Sequence, residues 1–160
     1  MRRKLLIIRR MNNQTTSTLQ IPVRAYVRKI ILREHGPEPI RITQQSLLGK
    51  NVLAMLFDYA ESEVPQHGCF GEPLSVEIST RLSRHFQKYE DLFQSGFYFE
   101  KVAQQMLVTY ILGGVRAGRK AWDAMRDFLA LYDISEDEYA AEAAYMVWKT
   151  WKTKHPEMTC

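Results

Sequence analysis

The segment GGVRAGRK, residues 113–120, is the part of this sequence that comes nearest to a ligand-binding motif. Gly113 and Gly118 have the spacing of the phosphate-binding loop G-x-x-x-x-G-K-[ST], in which the lysine reaches the phosphates and the hydroxyl binds magnesium. Arg119 and Lys120 stand where that lysine and that hydroxyl residue belong. The residues before the loop also have helical periodicity, whereas such a loop follows a strand. The sequence therefore predicts a connection between helices here.

The same region contains the densest group of cations outside the N-terminal segment: Arg116, Arg119, Lys120 and Arg126. Cations beside the N-terminus of a helix can hold a phosphate of a nucleic-acid backbone. Such contacts position a protein on DNA and read no base sequence. This cluster predicts backbone contacts.

Residues that could bind a metal or act as a nucleophile are few and scattered. His67 and Cys69 form one close pair, but a zinc site needs three or four ligands, commonly as two spaced pairs. His35, His85 and His155 stand singly. No Ser, His and Asp grouping and no pair of carboxylates stands out. We therefore expect no catalysis, no cofactor and no small-molecule substrate.

The capping pattern of segment 127–148 is typical of a helix-turn-helix pair, but the charge of the segment is not. Ser135 and Glu138 form a capping box for a helix starting at about residue 136, and Ile134 with Tyr139 makes the matching hydrophobic staple. A helix-turn-helix protein presents the first residues of its second helix to base edges. Here the segment has six acids and no Lys or Arg, so DNA would repel it.

The end of that last helix alternates aromatic residues with lysines. In the favoured interpretation the aromatic rings pack on the core or on a partner while the lysines reach solvent. The alternatives are a basic-aromatic nucleic-acid surface using Lys149 and Lys152, or a dimer interface, since Trp and Tyr are common anchors. The interface would use Tyr145, Trp148 and Trp151.

A further pattern, LSVEISTRLSRHFQKY over residues 74–89, matches the strand-then-helix start of a ribbon-helix-helix protein. In that fold the outward residues of a paired strand enter the major groove. Glu77 is among them, and a carboxylate can accept from cytosine N4 but is repelled by phosphates. An ordinary strand with a charged solvent face explains the pattern better.

The overall charge of +4 comes from the N-terminal segment. Residues 1–10 contain five cations and no acid, and in the rest of the chain 17 Lys and Arg face 18 Asp and Glu. The apolar run of residues 5–8 is shorter than the roughly 7–15 residues of a secretory signal, and no stretch approaches a membrane span of about 20 apolar residues. With two cysteines the sequence predicts a reduced, cytoplasmic protein.

Hydrophobic periodicity predicts one mainly helical α+β domain within this chain of 160 residues. Residues 39–43 and 74–79 alternate as strands of a small two-stranded sheet, which would place Ser75, Glu77 and Ser79 opposite Arg41 and Thr43. A loop is predicted over 61–73. Five to six helices are predicted, starting near residues 21, 46, 80, 99, 119 and 136.

The two ends of the chain carry a resemblance to small proteins of prophages and other mobile elements in Bacteroidetes. It rests on an Ile-x-Glu-Asp-x-Tyr turn followed by a Trp- and Lys-rich finish, Ile134 to Lys152. The start IPVRAYVRKIILREHGPEPIRIT is similar to their openings. The resemblance implies a mobile-element context, and with it DNA-associated or assembly work, but it implies no site residue.

The sequence thus predicts a flexible basic arm over residues 1–20, one globular domain over 21–154 with a helix-turn-helix-like C-terminal pair, and a tail over 155–160. The leading hypothesis is a non-enzymatic DNA-associated accessory or regulatory protein of a mobile element. Its phosphate contacts would come from the arm and from Arg116, Arg119, Lys120, Arg126, Lys149 and Lys152. The alternative is an assembly module dimerising through the aromatic helix. An enzyme using residues 113–120 is the remotest hypothesis.

Overall fold

The computed structural model describes residues 16–58, 71–80, 82–83 and 96–159. Within these residues the chain is α+β and mainly helical, as predicted. The strands are β1 (Thr16–Val23), β2 (Ile40–Ile42) and β3 (Glu72–Ser79), and the helices are α1 (Ala25–His35), α2 (Leu47–Asp58), α3 (Phe97–Arg116), α4 (Ala121–Leu131) and α5 (Ala141–Lys154). A 3-10 helix, Pro156–Thr159, follows α5 where the sequence predicted a tail.

The sheet has three strands in the order β1-β3-β2, not the two that were predicted. β1 is antiparallel to β3, and β2 is parallel to it. Arg41 pairs with Glu77 in the β2–β3 register, and Nε of Arg41 lies 3.3 Å from Oε2 of Glu77. The predicted cross-strand placement of these two charges is therefore confirmed.

The additional strand, β1, corrects the prediction of an arm to residue 20 and of a helix from Ile21. Residues 16–20 are mostly polar, and β1 tolerates this because it lies at the edge of the sheet and has one open face. On that face the hydroxyl of Thr16 donates to Glu77 at 2.7 Å. Pro22 lies opposite Pro73 in this strand instead of opening α1, and an edge strand tolerates proline. The domain thus includes residues from Thr16 onward.

The covered face of the sheet forms the centre of the hydrophobic core. The buried apolar residues of the three strands are at most 2% exposed, including Ile21, Ile42, Leu74 and Val76, and Leu19 near the start of β1 is partly buried. Helices α1 and α3 pack against each other, and α1 also packs on β3. Burial of alternate apolar residues explains why β2 and β3 were predictable from their period of two.

The start of α3 meets β1 at Gly96. This residue has a φ of 75°, in the left-handed region. A Cβ added to it would lie 2.2 Å from the carbonyl oxygen of Pro22. Only a residue without a side chain allows the two backbones to approach so closely. Gly96 therefore fixes the direction in which α3 leaves the sheet.

Helices α3, α4 and α5 pack on one another beyond the sheet. α3 continues through Gly113 and Gly114, which the sequence interpretation took as its end. A Cβ on Gly114 would lie 2.8 Å from Cβ of Ala124, so α3 and α4 approach closely at this level. α5 contacts both of them.

Several predictions lie partly or wholly outside the described residues: the first 15 residues of the arm, residues 61–70 of the loop predicted over 61–73, and most of the helix predicted after residue 80. The end of that loop is corrected, because β3 already begins at Glu72. The pair His67 and Cys69 belongs to these stretches, as do Arg81, Arg84 and Lys88, the cations that follow the strand in the ribbon-helix-helix pattern. Among the described helices, none combines the length and the apolar character needed to cross a membrane.

Candidate nucleic-acid interface

The cationic cluster lies at the corner between α3 and α4. Arg116 is the last residue of α3 and Lys120 is the N-cap of α4, and both are exposed. Backbone hydrogen bonds close the turn, including one from the N–H of Arg119 to the carbonyl of Gly114 at 3.0 Å. The segment that resembled a phosphate-binding loop is thus a helix end and a tight turn, as predicted.

The structure divides this cluster. Arg119 forms an ion pair with Asp127 on α4, and the hydrogen bond and charge of Asp127 raise the pKa of Arg119 above its ordinary value. Arg116, Lys120 and Arg126 have no ion-pair partner within the described parts of the chain. They remain available to an external anion.

Two aromatic-cation pairs lie on the facing flanks of α4 and α5. Trp122 and Arg126 are four residues apart on α4, as are Tyr145 and Lys149 on α5, and this spacing places each pair on one flank. The rings of Trp122 and Tyr145 meet edge to face, with centroids 5.0 Å apart and planes at 77°. Nζ of Lys149 lies 5.2 Å from the centre of the Tyr145 ring.

Lys152 extends the same flank of α5 by three residues. The contact between the two rings therefore joins three predicted cations from different helices into one surface. We call it the basic-aromatic surface and define it by Trp122, Arg126, Tyr145, Lys149 and Lys152. Both rings are half-buried, and the three cations are exposed.

Trp148 does not belong to this surface. It is 3% exposed and lies in the core, stacked on Trp151 with centroids 5.4 Å apart and planes at 21°. The prediction of Trp148 as an interface anchor is therefore wrong, because a partner cannot reach its ring. Trp151 is half-buried and contacts the ring of His155 at 4.9 Å.

The predicted start of the last helix is also wrong. α4 ends at Leu131 and α5 begins at Ala141, so residues 132–140 form the connection. This connection is longer than the turn of about three or four residues in a helix-turn-helix. Glu138 does accept from the N–H of Ser135 at 2.9 Å, as in a capping box, but the helical turn stops there. Glu136 instead caps α5, accepting from the N–H of Ala141 at 3.1 Å.

Helix α1 contacts this connection, including Glu138 of the capping box and Tyr139 of the hydrophobic staple. Nζ of Lys29 donates to Glu138 at 2.7 Å and also to the carbonyl of Asp133. The rings of Tyr26 and Tyr139 stack with centroids 4.1 Å apart and planes at 7°. Burial raises the pKa of Tyr139 to about 12. The acidic connection is thus a contact for α1.

Further contacts extend this binding along α1. The guanidinium of Arg33 donates to the carbonyl of Leu131 and lies over the ring of Tyr132 at 5.6 Å. The hydroxyl of Tyr132 donates to Glu34 at 2.5 Å. Desolvation by burial and the hydrogen bond to Glu34 raise the pKa of Tyr132 above its ordinary value. The connection is therefore held at both of its ends.

The contact of Glu138 with Lys29 predicts a pH dependence of stability. The hydrogen bonds from Lys29 and from the Ser135 N–H lower the pKa of Glu138 below its ordinary value. Its contribution is present above the unfolded pKa of about 4.3 and is lost as the pH falls through the lower folded value. We expect Glu138→Gln to lower the free energy of unfolding at pH 7 and to flatten its decline below about pH 4.3.

Urea denaturation at a series of pH values would measure this effect. Glu142→Gln is the matched control, because Glu142 is exposed near the start of α5 and has no ion-pair partner among the described residues. An acid decline in Glu138→Gln as steep as in the unmodified chain would contradict the prediction.

Trp122 is a member of the site that the sequence does not reveal, because its spacing with Met125 and Leu129 predicts the buried side of the helix. The signal was present in the repeated spacing: an aromatic residue four positions before a cation occurs in both α4 and α5. Which two helix flanks face each other depends on packing, which the spacing does not give.

Comparison of the chain with protein-family models, with curated proteins and with solved structures returned no match. Among the described residues no group of three or more His, Cys, Asp or Glu is placed to hold a metal ion.

Proposed function

We propose that this chain is a non-enzymatic DNA-associated accessory protein of a mobile element, acting in the cytoplasm and contacting mainly the phosphate backbone. One observation carries the proposal: the contact between Trp122 and Tyr145 unites exposed cations of α4 and α5 on one surface. Arg116 and Lys120, exposed at the adjoining corner of α3 and α4, enlarge the positive region.

The placement of the acidic residues supports the same role. The connection over residues 132–140 contains four acids, and it would repel DNA if it were presented as a reading element. Lys29 of α1 instead binds the carboxylate of Glu138 and the carbonyl of Asp133 in this connection. Base reading by the start of α5 is thus disfavoured, whereas contact with phosphates at the basic-aromatic surface is open.

Fluorescence anisotropy with a labelled DNA duplex at several salt concentrations tests the proposal. We expect the double substitution Arg126→Gln with Lys149→Gln to weaken binding and to reduce the salt slope by about 0.9 for each phosphate that the variant no longer neutralises. The matched control is Arg41→Gln with Lys50→Gln, which removes the same charge from two exposed residues of β2 and α2.

An equal loss of affinity in the two double variants would contradict the proposed surface, because it would indicate an effect of net charge alone. No binding by the unmodified chain at low salt would contradict DNA association itself. The contribution of residues 1–10 is separated by changing their five cations to Gln in the full chain. A truncation at residue 20 would instead remove most of β1.

The competing proposal, an assembly module that dimerises through α5, is weakened by the burial of Trp148. The surface of α5 left for such a dimer is the half-buried pair Tyr145 and Trp151 and the outer face, where Met146 is 55% exposed. Light scattering of the unmodified chain and of Met146→Lys separates the two roles: a dimer that Met146→Lys dissociates would favour the assembly module.

A further inference from the structure

The basic-aromatic surface combines two kinds of group that favour different forms of nucleic acid. Cations contact the backbone of duplex and single strand alike. Aromatic rings add binding energy only where a base exposes its face, which the bases of an intact duplex do not do. The position of Trp122 and Tyr145 between the cations therefore bears on which form is bound.

We propose that this surface binds single-stranded nucleic acid in preference to duplex, with unpaired bases stacking on Trp122 and Tyr145. This inference rests on the proposed function and names the form of its ligand. Arg126, Lys149 and Lys152 contact the phosphates that flank the stacked bases. The rings supply the preference, and the cations supply the salt-dependent part of the affinity.

Both rings pack against the hydrophobic core and keep part of their surface exposed to solvent. At an interplanar angle of 77° one ring directs its edge at the other, so one ring of the pair keeps both of its faces clear of its partner. Lys149 approaches the Tyr145 ring at 5.2 Å through a long flexible side chain that can move to a phosphate. A base can then take the position that the ammonium leaves.

The neighbouring elements disfavour the duplex. The start of α5, which a groove reader would present, has Glu136 and Asp137 exposed just before it and Glu142 exposed in its first turn. Glu136 is also used as the cap of α5. A duplex following the cations of α5 toward its N-terminus would meet these carboxylates. A single strand is flexible enough to follow the cations alone.

Binding of four labelled oligonucleotides to the full chain tests the inference. They are single-stranded DNA, the matching duplex, the matching RNA strand and a strand of abasic units with the same phosphates. All four are about 12 units long, which is within the usual site size of such surfaces. We expect the DNA strand to bind at least about fivefold more tightly than the abasic strand, since stacking contributes about 1–3 kcal/mol per base. It should also bind more tightly than the duplex. Equal binding of the RNA strand would extend the site to single strands of both kinds.

Two ring variants locate the effect. Trp122→Leu and Tyr145→Leu should each reduce the ratio between the DNA strand and the abasic strand toward one. Tyr110→Leu, a change to a half-buried tyrosine of α3 that contacts Phe128, should leave it unchanged. Because the ratio compares two ligands of the same variant, partial unfolding lowers both affinities and does not imitate the expected result.

The outcomes separate this inference from the proposed function. Equal affinity for the abasic and the normal strand, or tighter binding of the duplex, would overturn the preference and leave DNA association standing. Binding of none of the four ligands at low salt would overturn both. A normal ratio in both ring variants would show that stacking occurs elsewhere and would also overturn the assignment.

Discussion

Replacing Trp148 with alanine is expected to lower the free energy of unfolding by about 3–5 kcal/mol, the usual cost of truncating a large buried aromatic residue. The ring is 3% exposed and stacks on Trp151, so its removal leaves a cavity and breaks the packing of α5 on the core. Equilibrium denaturation in urea or guanidinium, followed by circular dichroism, measures the loss.

Met146→Ala is the matched control for Trp148→Ala. Met146 lies on the same helix but is 55% exposed, so its truncation should change stability by no more than about 0.5 kcal/mol. A Trp148→Ala variant as stable as the unmodified chain but altered in its oligomeric state would place the indole in an interface and contradict its position in the core.

Gly96→Ala is expected to lower the free energy of unfolding by about 2–5 kcal/mol, from two additive causes. The φ of 75° is unfavourable for a residue with a side chain, at about 1–2 kcal/mol. The new Cβ would also lie 2.2 Å from the carbonyl oxygen of Pro22, so β1 and the start of α3 must separate. Overpacking of this kind costs about 1–3 kcal/mol.

Gly118→Ala isolates the first of these causes. Gly118 also has a positive φ, of 83°, but a Cβ added there meets no atom within 4 Å. The free energy of unfolding of Gly118→Ala should therefore fall only by about 1–2 kcal/mol, because of backbone strain alone. Equal losses in the two variants, measured by the same denaturation method, would mean that α3 does not abut β1 as described.

The elements that were predictable are those whose side chains alternate between core and solvent. The apolar residues of α3 recur at helical spacing from Phe99 to Ile111, and β3 alternates Leu74, Val76 and Ile78 with polar residues. β1 was missed because residues 16–20 are mostly polar. Their position at the sheet edge allows this, so their strand character depends on pairing with β3 and not on their own pattern.

The cations of the site could be predicted from the sequence, but their arrangement on one surface could not. The sequence identified Arg126, Lys149 and Lys152, but only helix packing brings their flanks together, through a ring contact between residues 122 and 145. It also could not show that Arg119 is occupied by Asp127. The capping box at Ser135 has the correct residues and its hydrogen bond forms, yet the helical turn ends there, and Glu138 also accepts from Lys29 of a helix distant in the sequence.

The contacts between α1 and residues 131–138 determine when this chain can finish folding. They join residues between 98 and 109 positions apart in the sequence. At a synthesis rate of about 5–20 residues per second, α1 waits about 5–20 s for these partners, whereas a helix forms within about a microsecond. During that interval Lys29, Arg33 and Glu34 of the nascent chain lack these contacts, and α1 gains them only after residues 131–138 are made.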